Sequence, residues 1–277
     1  MSLRDDLEFV SSLARSAGAI AREHYGKVDR LTKTHAAADD EAVTLADRAV
    51  QAHVVAGLRW RFPADGIIGE EDDAGRGITF DCRDPLGRNW VIDPIDGTNN
   101  FISGLGHFAV CIGLLEAASP VLGVVYDVTH DELYAAATGC GATLNGRAIR
   151  ALQTPLSPAS MLMMTSNLIG PTGRVPGWAV RWISQTVWKL RILGSAALES
   201  VLVARGVAHA AVTVNGKLWD CVAPAAIVLE AGGVVSDLAG KPIFPFELRN
   251  YTGAKVPYIS AGPAAHEQIV SEIAAYP

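Results

Sequence analysis

The sequence lacks the features that would place the chain in a membrane, on a secretory route or on nucleic acid. No uninterrupted apolar run approaches the roughly 18 residues of a membrane span, so we expect no membrane partner. The first six residues contain neither the basic nor the apolar region of a signal peptide, so we expect none. The net charge of −6 argues against nucleic acid as the main partner. It still allows a small anionic substrate, because a bound metal ion changes the local charge.

Cysteine is also scarce, and its positions show no C-x-x-C spacing. This scatter disfavours a disulfide framework and a structural zinc site. We therefore expect reduced thiols in a cytoplasmic protein. The four positions are Cys82, Cys111, Cys140 and Cys221.

Apolar residues, by contrast, are plentiful, at 49% of the 277 residues. The mean hydropathy of +0.23 excludes a disordered chain. This content supports one large domain or two smaller ones. Pro155 and Pro158 mark the boundary we expect. It separates an N-terminal α+β domain, residues 1–150, from a C-terminal α/β domain, residues 151–277.

The pattern of the first half predicts two helices followed by a mostly antiparallel sheet. We expect helices over residues 3–25 and about 41–60, the second with Asp39 or Asp40 as its N-cap. Residues 27–40 are predicted to form a loop or a loose hairpin, and residues 73–88 a surface loop. Asn145 and Gly146 form a strong hairpin signal. Strands are expected to start at residues 66 and 90, and to cover residues 107–115, 121–126 and 132–137.

In the second half strands and helices alternate, which predicts a layered α/β unit. Strands are expected over residues 160–165, 189–193, 208–214, 233–236 and 257–260. Helices are expected over residues 177–188, 195–205 and 220–231, and from residue 263 onward.

The stretch with the clearest chemical content is residues 90–101. A buried strand leads into Asp93 and Asp96, and a proline stiffens the turn expected between them. Two neighbouring carboxylates repel each other, and a hard divalent cation held by oxygen ligands relieves that repulsion. The backbone N–H groups of Gly97 and Thr98 suit a phosphate. The same residues are also typical of a plain tight turn, so this pattern alone leaves both interpretations open.

Further acids stand at the ends of predicted elements. Glu70 follows an apolar strand, and Asp220 opens a predicted helix, so both could converge on one point. Each has an ordinary alternative: Asp220 can be an N-terminal helix charge, and Glu71 and Asp72 can form a solvated strand edge. The histidines at positions 53, 107 and 209 lack clustered partners and are assigned to the surface or the core.

Several separated blocks resemble, in order, the inositol monophosphatase family, the lithium-sensitive, magnesium-dependent phosphatases related to fructose-1,6-bisphosphatase. The resemblance covers nearly the whole chain. It implies a layered α-β-α-β-α fold and a homodimer acting on a phosphomonoester. The blocks are residues 43–47 (V-T-L-A-D), 69–71 (G-E-E), 93–98 (D-P-I-D-G-T), 194–197 (G-S-A-A), 219–220 (W-D) and 230–233 (E-A-G-G).

The resemblance also implies a metal set. One Mg²⁺ would be held by Glu70, Asp93 and the carbonyl of Ile95. A second would be held by Asp93, Asp96 and Asp220, and a weaker third ion would sit near Glu70. Two metals can clamp the attacking and leaving oxygens of an in-line displacement.

The remaining implied roles concern phosphate, water and the organic part of the substrate. The N–H groups of Gly97 and Thr98 would hold the phosphate. Asp47 would hydrogen-bond Thr98, and Thr98 with Glu70 would orient the attacking water. The implied substrate contacts are Asp96, Ser195, Ala196, Thr213 and Asp220, with the loop around Asn215.

One position departs from the inositol-specific members. They have glutamate seven residues before the W-D aspartate, where this chain has Thr213. A threonine cannot span the gap to two ring hydroxyls, so we expect inositol 1-phosphate not to be the best substrate.

The sequence thus predicts a magnesium-dependent phosphomonoesterase acting on an inositol-phosphate-like compound or a sugar phosphate. Histidinol phosphate, fructose 1,6-bisphosphate and a 3′-phosphoadenosine nucleotide are alternative substrates. A regulatory binding protein of the transcription machinery is an alternative of another class. The complete acid set favours an enzyme, since a binding protein has no need to retain it.

Overall fold

The computed structural model describes residues 2–27, 45–71, 79–169, 173–184 and 188–277. Within these ranges no helix is long and apolar enough to cross a bilayer. The helices are α1 (Leu3–His24), α2 (Leu45–Arg61), α3 (Thr98–Ser103), α4 (Gly177–Ser184), α5 (Ala196–Ala204), α6 (Leu218–Glu230) and α7 (Pro263–Ala275). The strands are β1 (Gly66–Gly69), β2 (Thr79–Asp81), β3 (Asn89–Asp96), β4 (Ala109–Glu116), β5 (Ser119–Asp127), β6 (Glu132–Ala137), β7 (Gly141–Leu144), β8 (Arg147–Ala148), β9 (Met161–Met164), β10 (Lys189–Arg191), β11 (Ala210–Thr213), β12 (Val234–Ser236) and β13 (Tyr258–Ala261).

The strands form two sheets, one from each half of the chain. The first has eight strands in the order β2-β1-β3-β4-β5-β6-β7-β8, and only the β1–β3 pair is parallel. The second has the order β10-β9-β11-β13-β12, with β10, β9 and β11 parallel and β13 antiparallel to both neighbours. Both agree with the strand patterns expected for the two halves.

Helices and sheets alternate in five layers. The helices α1 and α2 cover one face of the first sheet around the buried Trp90. The helices α5 and α6 fill the space between the sheets, where Cys111 of β4 and Tyr258 of β13 join one core. Trp178 of α4 and Ile269 of α7 pack on the outer face of the second sheet. This order confirms the α-β-α-β-α fold.

The helix α6 lies against the first sheet at backbone contact distance. A Cβ atom added at Gly113 would lie 2.8 Å from the backbone nitrogen of Ala223, and one added at Gly123 would overlap its carbonyl. All but three residues of α6 are buried. The two glycines therefore fix the distance of α6 from β4 and β5, and with it the position of Asp220 in the first turn.

Several predicted boundaries are confirmed. The α1 helix begins directly after Ser2, which accepts a hydrogen bond from the Asp5 backbone while the Asp5 side chain returns one, forming a capping box. The β7–β8 hairpin turns at Asn145 and Gly146, whose φ angles are 47° and 77°. Positive values at both positions are the geometry that favours Asn-Gly in a tight hairpin.

The structure corrects the expected turn inside residues 90–101. The strand β3 continues through Pro94 to Asp96, and its pairing with β4 passes from Asp93–Cys111 to Asp96–Ala109. Three steps on β3 thus match two on β4, which is a β-bulge. The prediction of a strand end at Asp93 was wrong because proline can lie within a bulge, where its missing N–H costs no ladder hydrogen bond.

Other predictions also need correction. The loop expected over residues 73–88 contains β2, which pairs with β1. The solvated edge considered for Glu71 was wrong, because Glu71 is buried and its N–H donates to Gln51 at 3.0 Å. The helix α6 begins at Leu218, so Asp220 is its third residue rather than its first.

Some predictions fall outside the described residues. These are residues 28–40 of the loop or loose hairpin expected over 27–40, the N-cap at Asp39 or Asp40, and the first residues of the helix expected from about residue 41. The beginning of the block at residues 43–47, Asp72, residues 73–78 of the loop expected over 73–88, and residues 185–187 at the end of the helix expected over 177–188 also lie outside them.

Candidate active site

A cleft of about 210 Å³ opens where the end of β3 meets the first turns of α3, α5 and α6. Six predicted site residues line it: Glu70, Asp96, Gly97, Thr98, Ala196 and Asp220. Asp47, Asp93, Ile95, Ser195 and Thr213 do not line the cleft and are buried in the protein. The lining also includes residues that sequence reasoning did not assign to the site, namely Asn99, Thr165, Ser166, Gly194, Lys217 and Trp219.

Three carboxylates converge beside this cleft. Oxygen atoms of Asp93, Asp96 and Asp220 lie within 4.8 Å of one another. In a regular strand, residues three apart point to opposite faces, so the β3 bulge is what brings Asp93 and Asp96 together. Glu70 is not one of these three but lines the cleft beside them, close enough for its charge to raise the pKa of Asp93.

Burial and mutual repulsion dominate the electrostatics of this cluster. Burial, followed by the charge of Asp220, raises the pKa of Glu70 well above its usual value. Burial, followed by the charge of Glu70, does the same to the pKa of Asp93. The pKa of Asp96 is raised to about 7, chiefly by burial and then by Asp220. The ionised cluster therefore requires a compensating positive charge.

A hard divalent cation fits these residues. The four side chains offer only oxygen donors, which are the ligands such ions prefer. The Oδ1 atom of Asp93 is buried and has no hydrogen-bond partner, so one ligand atom lacks the partner that buried polar atoms normally have. The side chains Glu70, Asp93, Asp96 and Asp220 can therefore form a metal centre.

Asp96 is held by the first turn of α5. The Ser195 hydroxyl donates to its Oδ2 atom, the Ala196 N–H donates to Oδ1 at 3.2 Å, and the Ala197 N–H donates to Oδ2 at 3.0 Å. Ser195 is also the N-cap of α5, since its hydroxyl accepts from the Leu198 N–H at 3.3 Å. These donors stabilise the charged form of Asp96 and limit the rise of its pKa.

Thr98 lies at the first position of α3, two residues after Asp96. Its hydroxyl donates to the Ile95 carbonyl at 3.0 Å and lies 3.5 Å from the Asp47 carboxylate. Gly97 before it has a φ of 90°, and a Cβ atom there would lie 2.9 Å from the His107 carbonyl. Only glycine fits this position without displacing the backbone.

Glu199 is a buried acid that sequence reasoning missed. One carboxylate oxygen accepts the Leu193 N–H at 2.7 Å and the Gly194 N–H at 3.1 Å, and the other is buried without a partner. Burial raises its pKa to about 7. Asn100 supports the same loop by donating to the Leu193 carbonyl at 2.8 Å. The available signal was a single charged residue within a mostly apolar helix.

Lys217 is the second residue of note that the motifs did not assign to the site. Its backbone N–H donates to Asp220 Oδ2 at 2.5 Å, and its ammonium group lies 5.2 Å from the centroid of the Trp219 ring. Both residues line the cleft. Lys217 is the only cationic side chain in the part of the cleft wall that the structure describes.

Comparison with known proteins gives one consistent result. A sequence model described as the inositol monophosphatase family matches residues 2–277. A protein of Thermotoga maritima named fructose-1,6-bisphosphatase/inositol-1-monophosphatase is 34% identical over 272 residues, covering 97% of this chain and 96% of its own. A histidinol-phosphatase of Chlorobaculum parvum is 34% identical, covering 85% and 87%. The Nus factor SuhB of Pasteurella multocida is also 34% identical, covering 82% and 83%.

The fold comparison agrees with the sequence comparison. A solved structure of an IMPase from Thermotoga maritima superposes with a TM-score of 0.81 at 31% identity. The match covers 98% of this chain and 97% of that one.

Proposed function

This chain belongs to the inositol monophosphatase family, and from that premise we propose that it is a metal-dependent phosphomonoesterase acting on a small phosphorylated metabolite. The observation that supports this most directly is the convergence of Asp93, Asp96 and Asp220 within 4.8 Å, beside Glu70 and next to the cleft. Such a cluster of oxygen ligands at a concave site suits phosphoryl transfer, which depends mainly on positioning and charge.

We assign the metal ligands as follows. Glu70, Asp93 and the Ile95 carbonyl would hold one ion, and Asp93, Asp96 and Asp220 a second. A third ion near Glu70 would bind more weakly. The Ile95 carbonyl accepts from Thr98 and keeps a second lone pair for a metal. Bound divalent cations neutralise charge on the phosphoryl oxygens and lower the pKa of a coordinated water.

The surrounding residues supply binding and orientation. Glu70 and the Thr98 hydroxyl would hold the attacking water, with Asp47 keeping the Thr98 side chain in place. The backbone N–H groups of Gly97 and Thr98 would donate to the phosphate and stabilise the charge that develops on it. No covalent bond to the protein is needed.

The organic part of the substrate would lie toward Ala196 and the polar rim. Asp96 and Asp220 border this region, and Ser195 acts on it through Asp96. Thr213 is fully buried and lies next to Gly216, which lines the cleft. It would therefore act on the substrate only indirectly, through the position of Gly216. No carboxylate stands at position 213, so we propose that inositol 1-phosphate is not the preferred substrate.

Finer properties are proposals as well. We propose Mg²⁺ as the ion and lithium as an inhibitor, since a small hard cation suits the same oxygen ligands. The four cysteines are free thiols, which supports a cytoplasmic location. We also propose a homodimer, by the family resemblance. The domain boundary near residue 150 is supported by the separation of the two sheets on either side of it.

Phosphate release from a panel of phosphomonoesters tests the proposed function. We expect turnover with Mg²⁺, loss of turnover with EDTA and recovery when Mg²⁺ is restored. Lithium chloride should inhibit, whereas potassium chloride at the same ionic strength should not. Release that persists unchanged in EDTA would refute the metal-dependent assignment.

A binding role in transcription is a second candidate, supported by the similarity to the Nus factor SuhB. It does not exclude catalysis. A variant without turnover, such as Asp93→Asn, would keep a binding role that is independent of hydrolysis. Loss of both together would tie that role to the metal centre.

A further inference from the structure

The backbone carbonyl of Asp220 cannot make the hydrogen bond that a regular helix would give it. In an α-helix a carbonyl accepts the N–H group of the residue four positions later. In α6 that residue is Pro224, which lies inside the helix and has no N–H. Another donor must therefore satisfy this carbonyl or leave it to water.

The hydroxyl of Tyr258 supplies a donor. It donates to the Asp220 carbonyl at 2.8 Å, from a side chain of β13 that is fully buried. Its oxygen accepts from the Ser200 hydroxyl at 3.4 Å, and Ser200 in turn accepts from the Ser260 hydroxyl at 3.3 Å. Because a carbonyl can only accept, the single proton of the phenol is committed to Asp220.

The start of α6 is also held by the segment that leads to β13. The Tyr251 hydroxyl accepts the Leu218 N–H at 2.9 Å. The Val256 N–H donates to the Gly216 carbonyl at 2.6 Å. Residues 251–258 thus fix the backbone on which the Asp220 carboxylate is carried into the acidic cluster.

We propose that Tyr258 is a positioning residue for the metal centre. Its hydroxyl replaces the N–H that Pro224 lacks and so holds Asp220 in place for the ion that Asp93 and Asp96 would also bind. Tyr258 does not line the cleft, so it acts through Asp220 and not on the substrate. The inference rests on the proposed metal-dependent function and adds a residue that the site motifs do not include.

Mg²⁺ binding to the full chain tests this role without any substrate. Calorimetric titration should show an affinity about tenfold weaker in Tyr258→Phe, as is typical when a group that orients a metal ligand is removed. In EDTA, amide hydrogen exchange of residues 216–223 should be faster in this variant, because the first turn opens more easily.

Tyr134→Phe is the matched control. Tyr134 is a buried phenol of the same core, and its hydroxyl donates to Glu132 at 2.8 Å. It does not line the cleft. This variant should keep the wild-type Mg²⁺ affinity and the wild-type exchange of residues 216–223. Wild-type affinity in Tyr258→Phe would overturn the proposal, as would an equal loss in both variants.

A rescue variant restores the missing N–H. In Tyr258→Phe/Pro224→Ala, residue 224 can donate to the Asp220 carbonyl again. Its Mg²⁺ affinity should return to within about twofold of that of Pro224→Ala alone, which is the signature of two coupled positions. A phenylalanine that only loosened the core would gain nothing from a donor at position 224, so a double variant without recovery refutes the role of Tyr258.

The outcomes also separate this role from the proposed function. If the wild type binds Mg²⁺ but releases phosphate from no phosphomonoester, the proposed function fails, and affinity and exchange still decide the role of Tyr258. If the wild type binds no Mg²⁺, both fail. If Tyr258→Phe does not fold, the double variant should fold and bind Mg²⁺ as Pro224→Ala does. A double variant that stays unfolded, or that binds weakly, overturns the proposal.

Discussion

The hydroxyl of Ser195 donates directly to the carboxylate of Asp96, which joins the first turn of α5 to the end of β3. One residue thereby caps a helix and holds a carboxylate of the proposed metal centre. The bond links the two halves of the chain at the point where the proposed chemistry takes place. Its removal should therefore affect both stability and the protonation of Asp96.

Ser195→Ala should raise the pKa of Asp96, because the lost hydrogen bond stabilises the charged carboxylate. A charge-assisted bond of about 1.5 kcal/mol corresponds to roughly one pH unit. The acid limb of kcat/KM, measured at low Mg²⁺, should move upward by that amount. Ser195→Thr should restore the wild-type limb, and Ser271→Ala, at an exposed position of α7, should leave it unchanged. An unshifted limb in Ser195→Ala would contradict the assignment.

Glu199→Ala should weaken both stability and catalysis. It leaves the N–H groups of Leu193 and Gly194 without their acceptor, at a cost of about 2–4 kcal/mol. Thermal unfolding should show a decrease of about 2–4 °C for each kcal/mol. Since Gly194 lines the cleft, kcat/KM should also fall by about tenfold.

Glu199→Gln retains one acceptor and should lie between the alanine variant and the wild type. The exposed Glu267 of α7 supplies the control, because Glu267→Ala removes a carboxylate that does not line the cleft. A Glu199→Ala protein with wild-type melting temperature and turnover would show that Glu199 does not position this loop.

Asp93→Asn should reduce kcat by about a thousandfold or more, because it removes a charge that both proposed metal sites share. The same change should stabilise the metal-free protein, since it removes one of the mutually repelling acids. Calorimetric titration with Mg²⁺ and thermal melting in EDTA measure the two effects. The exposed Glu116 at the end of β4 is the control position, through Glu116→Gln. Near-normal turnover in Asp93→Asn would exclude a bridging role.

The metal-free protein should lose stability as pH rises from about 4 to 7. The folded-state pKa of Asp96 is about 7, above the ordinary value of 3.8. The folded state therefore binds the proton more tightly than the unfolded state over this range. The resulting stability is complete below pH 4 and is lost as pH passes the folded pKa. The raised pKa values of Glu70 and Asp93 act in the same direction.

Melting temperatures in EDTA across this pH range should therefore decrease, by about 5 °C or more. Adding Mg²⁺ should stabilise the protein more at pH 8 than at pH 5.5, because metal and protons compete for the same oxygens. Asp96→Asn removes one titrating group and should flatten the EDTA profile. A profile that rises with pH in EDTA would show that the cluster does not carry these shifts.

The sequence pattern predicted most helices, strands and turns correctly, because their formation depends mainly on residues that are close together in the sequence. The stripe that defines α1 and the Asn145–Gly146 turn depend on neighbours within a few residues. The extension of β3 through Pro94 could not be predicted in this way. It depends on the register with β4, where a bulge accommodates the proline.

The candidate site shows the same division. Motif spacing indicated Glu70, Asp96 and Asp220, and the structure places all three at the cleft. Glu199 accepts hydrogen bonds from the loop before α5, and Lys217 lies over the Trp219 ring. Both contacts depend on tertiary packing. No periodic pattern of residues in the sequence predicts the buried hydrogen bonds of Glu199 or the contact between Lys217 and Trp219.

The glycines at 113 and 123 have a consequence for how substrate enters. They let the backbone of α6 at Ala223 rest directly on β4 and β5, so no side chain separates the helix from the sheet at that point. A hinge that swung the two halves of the chain apart would have to separate this contact first. The spacing between Asp220 and Asp93 is therefore set largely by main-chain packing, and we expect the proposed metal centre to be rigid. Entry and release then depend on the rim of the cleft, not on opening and closing of whole domains.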